Sequence, residues 1–228
     1  MSNPHNESPV NPLPPVVVAL SLVLIGIELA FGMGARGLIG GPAAVGWRAE
    51  YVQKFAFSDR VFEWMRDTGE WPLEQLLRFA SYPFLHWSFT QALFAAVILL
   101  AMGKIVAEVM GSVRMLILFF ASSIGGALAY ALILNDPTPL VGAFPGDYGL
   151  IGGFTYLLWV RLGRVGANQT RAFSLIGVLM ALQLVFGLLF GGSNLWLPDI
   201  AGFATGFALS IVLVPGGFSR LLARMRRD

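Results

Sequence analysis

The sequence predicts an all-α membrane protein, a single bundle of six transmembrane helices whose first outer loop is partly embedded in the membrane. Three observations carry this. Hydrophobic residues make up 56% of the 228 residues and charged residues only 12%, about half the charged share of a soluble domain; the mean hydropathy is +0.71. Apolar runs close to the roughly 20 residues that a bilayer requires recur six times along the chain. The Lys and Arg residues between those runs cluster in alternate loops.

Residues 1–15 form a polar tail rich in Pro and Asn, with no Lys or Arg. The tail lacks the basic start of a signal peptide, so the first apolar run, near 16–34, reads as a retained helix. Residues 35–81 form the first outer loop. Six basic and six acidic residues lie there, interleaved with Trp47, Phe55, Phe57, Phe62, Trp64 and Trp71. Within the loop, 58–65 reads as an amphipathic helix with Ser58 or Asp59 as its N-cap. A Trp-rich amphipathic segment suits the headgroup layer, which predicts a partly embedded interfacial hairpin. The second helix is expected near 82–102 and the third near 115–134. The fourth, near 143–160, is short and glycine-rich; the fifth is expected near 173–190 and the sixth near 197–214.

The six helices and the first loop make one membrane domain, 16–215, followed by a basic tail, 216–228. The expected inner loops are about 103–114 and 161–171. With the tail they hold Lys104, Arg114, Arg161, Arg164, Arg171, Arg220, Arg224, Arg226 and Arg227. The outer loops after the third and fifth helices hold no Lys or Arg. By the positive-inside rule both termini are cytoplasmic, and the expected location is a multi-pass span of a bacterial inner membrane.

The absence of cysteine excludes disulfides and thiol chemistry, and two histidines leave little room for a histidine-rich metal site. No cofactor is expected. Nothing points to nucleic acid: the terminal Arg cluster reads as a topology anchor near anionic lipids. The expected partners are membrane lipid and the transmembrane segments of other proteins.

Two segments hold the remaining information. One is Val141-Gly142-Ala143-Phe144-Pro145-Gly146-Asp147-Tyr148-Gly149-Leu150. The other is Pro198-Asp199-Ile200-Ala201-Gly202-Phe203-Ala204-Thr205-Gly206. Each resembles a motif of the rhomboid intramembrane serine proteases with its working residue replaced. The family's Gly-x-Ser-Gly aligns so that Phe144 takes the serine position, while the following aromatic persists as Tyr148. The family's Ala-His-x-x-Gly aligns with Asp199 in the histidine position and with Gly202 and Gly206 kept. Upstream, Arg78 and His86 match the family pattern. Gln91 and Ala95 replace the His and Asn that the resemblance assigns to oxyanion support. Gly103 and Gly125-Gly126 also fit.

The resemblance implies a rhomboid-like six-helix bundle with a large first loop half sunk in the outer leaflet, and Phe144, Asp199, Gln91 and Ala95 mark a degenerate catalytic site. Acyl transfer needs a nucleophile, a base in hydrogen-bond reach and oxyanion donors. Phe has no nucleophilic atom, and Pro145 removes a backbone N–H. The chain is therefore expected not to be an enzyme. Phe144 is expected to plug the former active site toward Tyr148, one turn away on the same face. Gly202 and Gly206 form a small-xxx-small pair for packing the sixth helix on the fourth.

Three acids lie at membrane depth. Glu28 reads as a buried hydrogen-bonding group that meets a neighbouring helix. Asp147 and Asp199 have two readings each: a functional carboxylate, or a water-exposed acid in a helix's first turn. His86 reads as a structural hydrogen-bonding residue. The leading function is an inactive rhomboid-like protein that binds or stabilises transmembrane proteins. The alternative is a fixed accessory subunit of a larger membrane complex. A third reading is residual aspartyl proteolysis through Asp147 and Asp199.

Overall fold

The structure is a computed structural model that describes residues 12–134, 136–190 and 194–215. Most of the N-terminal tail and the basic tail 216–228 lie outside the described residues. Six long helices form the bundle: α1 (Pro15–Ala35), α6 (Phe89–Met110), α7 (Ser112–Ala129), α8 (Phe144–Arg164), α9 (Ser174–Phe190) and α10 (Trp196–Leu213). Four short helices lie in the first loop: α2 (Trp47–Phe55), α3 (Asp59–Thr68), α4 (Leu73–Leu76) and α5 (Arg78–Ser81). Among the described residues there is no strand beyond one isolated bridge, Phe57 with Leu140.

Five segments are long and apolar enough to cross a bilayer: Pro15–Ala35, Phe89–Met110, Ser112–Leu134, Gln169–Leu189 and Trp196–Leu213. α8 is long enough but carries Asp147, Arg161, Arg164 and repeated glycines. Its first half is buried by protein from Pro145 to Gly153, and a helix sheathed by neighbours need not present an apolar surface to lipid. The chain is a multi-pass integral membrane protein, and its outward helix faces contact lipid.

Helix ends differ from the sequence expectation in two places. The second long helix begins at Phe89, not near 82, because Tyr82–Phe84 forms a 3-10 turn around Pro83 and Ser88 caps the helix by accepting the Gln91 N–H at 3.2 Å. It then runs to Met110, so the expected inner loop of 103–114 shrinks to a turn at Gly111. That residue's φ of 93° is a conformation that favours glycine.

α1 lays one stripe on the bundle: Val17, Ser21, Leu24, Glu28, Phe31 and Gly34 are its buried positions, at helical spacing. Gly103 of α6 admits Val17, whose methyl would lie 3.3 Å from an added Cβ. α8 is the central helix. Its glycines meet α7 on one side, with Gly146 against Phe119 and Ser123, and α10 on the other, with Gly152 against the backbone of Phe203 and Phe207. Gly202 and Gly206 of α10 face the carbonyls of Pro145 and Gly149, so close that an added Cβ would overlap them.

The first loop packs on the bundle through its aromatics. Phe57, Phe62, Met65, Phe79 and Tyr82 form a buried cluster with Tyr130 and Leu140. Phe57 and Leu140 exchange both backbone hydrogen bonds, at 3.2 and 2.9 Å. Ser58 occupies the N-cap position of α3 but makes no capping bond. Asp59 is buried instead. Arg78 ties the loop together, donating to the carbonyls of Gln53 and Ala56 and to Gln75.

Candidate functional site

The start of α8 is held from outside by the turn that precedes α6. Gly142 has a φ of 111°, which suits glycine, and its N–H donates to the Tyr82 carbonyl at 3.2 Å. The next N–H, on Ala143, donates to His86 Nε2 at 3.3 Å. Tyr82 in turn donates its hydroxyl to the Ser123 carbonyl of α7 at 2.7 Å. His86 is 1% exposed. Burial, and then the nearby Arg48 charge, push its pKa down to about 4, so it stays neutral near pH 7 and can accept from Ala143. His86 is thus a hydrogen-bonding residue that sets the register of the helix carrying Phe144.

Phe144, Tyr148 and Asp199 all line one cavity of about 990 Å³ between α6, α8, α9 and α10. Phe144 is half-buried and packs against the cluster of Tyr148, Ile151, Ile176 and Phe203. It packs toward Tyr148 as expected, but it does not plug the cavity: the space stays open beside it and Phe144 forms part of the wall. Gln91 lines the same cavity. Its carbonyl oxygen accepts the Trp87 N–H at 2.8 Å, and its amide nitrogen lies against Gly142. Ala95 is fully buried in the apolar core with Ala92, Ala96 and Leu99 and gives only a methyl group.

Neither membrane-edge aspartate is a water-exposed helix start. Asp199 is 4% exposed and accepts a 2.6 Å hydrogen bond from Gln183 Nε2 of α9. Asp147 is fully buried, and both its carboxyl oxygens lack a hydrogen-bond partner among the described residues. Both residues are buried because α8 starts under the first loop, and because α9 brings Gln183 over the first turn of α10.

Glu28 is buried and bonded to a neighbouring helix, as expected, and that helix is α2 of the first loop. Arg48 of α2 donates to both Glu28 oxygens, at 2.9 and 2.6 Å. The same guanidinium donates to the His86 carbonyl and stands 5.4 Å from the Phe31 ring centre. Arg48 and Gln183 are the participants that sequence reasoning missed. Gln183 had a signal, being a strong hydrogen-bonding group inside an apolar span. Arg48 had none of its own, being one of six basic residues in a mixed-charge loop. Among the described residues no group of three or more His, Asp or Glu is gathered to hold a metal.

A helical bundle with this glycine-packed central helix, its cavity and these two motifs defines a polytopic membrane protein of one class. The Rhomboid domain family matches residues 73–216, and the chain belongs to that family. It is also similar to RHOMBOID-like protein 4 of Arabidopsis thaliana, at 30% identity over 137 residues. That stretch is 60% of this chain and 34% of that protein, so the match spans about a third of the relative's length.

Proposed function

We propose that the chain is a catalytically inactive rhomboid that holds or stabilises transmembrane segments of other membrane proteins, with the cavity beside Phe144 as the receiving surface. The observation that carries this reading is the wall of that cavity. A phenyl ring stands at the position that resemblance assigns to the nucleophile, and the acid in the base position, Asp199, is engaged by Gln183 at 2.6 Å. Of the groups needed for an oxyanion, Pro145 lacks an N–H and Ala95 lacks a donor, which leaves the Gln91 amide. What remains is a mostly apolar recess between α6 and α9, with a few polar groups to orient an occupant.

A photo-crosslinking residue at 144 or 182 is expected to give adducts with transmembrane segments of other proteins in native membranes. The same residue at 117, on an exposed face of α7, should give lipid adducts only. Lipid adducts alone at all three positions would sink the binding reading. The double variant Phe144→Ser, Asp199→His is expected not to cleave a fluorescent transmembrane substrate. Loss of one oxyanion donor alone costs about a hundredfold or more in rate. Cleavage by the unmodified chain would overturn the inactive reading outright.

The second reading, a fixed accessory subunit, would set a partner's helix in place of lipid on the apolar face of α9, where Val178, Leu184, Val185, Leu188 and Leu189 are all exposed. A stoichiometric protein that survives purification in mild detergent, with no other clients, would support this reading over the first. We also place both termini on the cytoplasmic side of a bacterial inner membrane, from the basic residues at the ends of α8 and beyond α10. Cysteines introduced at 5 and 225 should resist an impermeant thiol reagent added outside; labelling of either reverses the topology.

A further inference from the structure

A second groove, of about 450 Å³, lies at the other end of the bundle, between the C-terminal ends of α6, α8 and α10. Its walls include Ile105 of α6, Phe154 and Leu157 of α8, and Val214 just past α10. Arg161 and Arg164 also line it. They stand three residues apart in the last turns of α8, so both reach the same side of the helix. Each is exposed, and neither has an ion pair or side-chain hydrogen bond among the described residues. The carboxylate nearby in sequence on α6, Glu108, pairs with Lys104 at 3.9 Å. The helix dipole and the cytoplasmic bias of basic residues account for cations at this end of α8; what they leave open is the use of two guanidinium groups that stand together on the rim of an apolar groove.

We propose that this groove binds one anionic glycerophospholipid of the adjoining leaflet, with its phosphate on Arg161 and Arg164 and an acyl chain lying along Ile105, Phe154, Leu157 and Val214. Two arginines offer paired N–H donors that match phosphate oxygens, and basic pockets between spanning helices favour anionic headgroups. The charge pattern argues against the chain's own tail as occupant. Residues 216–228 carry Arg220, Arg224, Arg226 and Arg227 against Asp228, so the tail would add cations to a cationic rim. An anionic lipid neutralises that rim and fills the apolar groove as well. The site is independent of the cavity at Phe144.

The test is native mass spectrometry of the full-length protein in detergent, supplied with dioleoylphosphatidylglycerol or dioleoylphosphatidylcholine. The expected result is preferential retention of phosphatidylglycerol. Arg161→Gln with Arg164→Gln should lower that retention by about tenfold or more, since each arginine near an anionic headgroup contributes about 1 kcal/mol and about 1.4 kcal/mol is tenfold, while leaving the thermal midpoint of the lipid-free protein unchanged. Replacing the four tail arginines with Gln should leave retention as in the wild type. Equal retention of the two lipids by the wild type would overturn the proposal. So would undiminished phosphatidylglycerol in the Arg161→Gln, Arg164→Gln variant, or a loss confined to the tail variant. Retention that rises when 216–228 are removed would show the tail to be the occupant, and would overturn it too.

Discussion

Gly206→Leu, and equally Gly202→Leu, should prevent the protein from folding. The built Cβ at Gly202 overlaps the Pro145 carbonyl and the one at Gly206 overlaps the Gly149 carbonyl. Both obstacles are backbone, so no rotamer change can relieve them. The neighbours have no slack either. Gly126 of α7 faces Pro145 and the Pro198 carbonyl at 2.6 and 2.7 Å from its own built Cβ, so α10 cannot back away from α8 without moving against α7. Even alanine at 202 or 206 should cost at or above the upper end of the usual overpacking range of about 1–3 kcal/mol. That is a large part of the roughly 5–15 kcal/mol by which proteins are stable. Packing between membrane helices relies on such close approach, since burial from water does not drive it. Gly26→Leu on the exposed side of α1 is the control, because nothing lies within 4 Å of its built Cβ. Thermal unfolding in detergent, followed by circular dichroism, should show Gly26→Leu melting with the wild type and the alanine variants melting well below it. An alanine variant at 206 that melts within a degree or two of wild type would show that α8 and α10 can separate cheaply.

The same glycines explain what could be read in advance. Small residues at a spacing of four mark close helix contact because only a missing side chain permits it, so the α8–α10 packing was legible in the string from Gly202 to Gly206. The long apolar helices were legible for a similar reason: bilayer thickness fixes their length. Spatial meeting of distant side chains was not legible. Nothing local to Glu28 announces Arg48, and nothing local to Asp199 announces Gln183. Each pair depends on how the first loop or α9 folds back over the bundle. Helix boundaries failed where the cause was a single residue, as at Ser88 and Gly111, whose effects override the hydropathy around them. The burial of Asp147 and Asp199 was hidden by the same limit: an acid in a first helical turn has one sequence signature, whether water or protein covers it.

Arg48→Ala should destabilise the fold by about 3–5 kcal/mol, the usual cost when one partner of a buried ion pair is removed. Glu28 is 2% exposed and lies within the first spanning helix, where water cannot replace the guanidinium. The loss also frees the His86 carbonyl, to which Arg48 donates, and with it the strap that runs from α1 through α2 to the turn before α6. Since His86 holds the Ala143 N–H, the damage should extend to the start of α8. Glu28→Ala strands the opposite charge, but Arg48 is partly exposed (28% for its side chain) and can turn toward water. Its cost should be smaller. That asymmetry separates a buried-charge penalty from a simple loss of attraction, which would make the two single variants equal. Pairing the changes as Glu28→Leu with Arg48→Leu removes both charges and should recover much of the stability lost in Arg48→Ala, because apolar replacement of a buried pair is often close to neutral. Unfolding midpoints of the three variants in one detergent decide the matter. If Arg48→Ala and Glu28→Ala melt together, or the double leucine variant is the least stable of the three, the ion pair holds the loop by attraction alone and the buried-charge account is wrong.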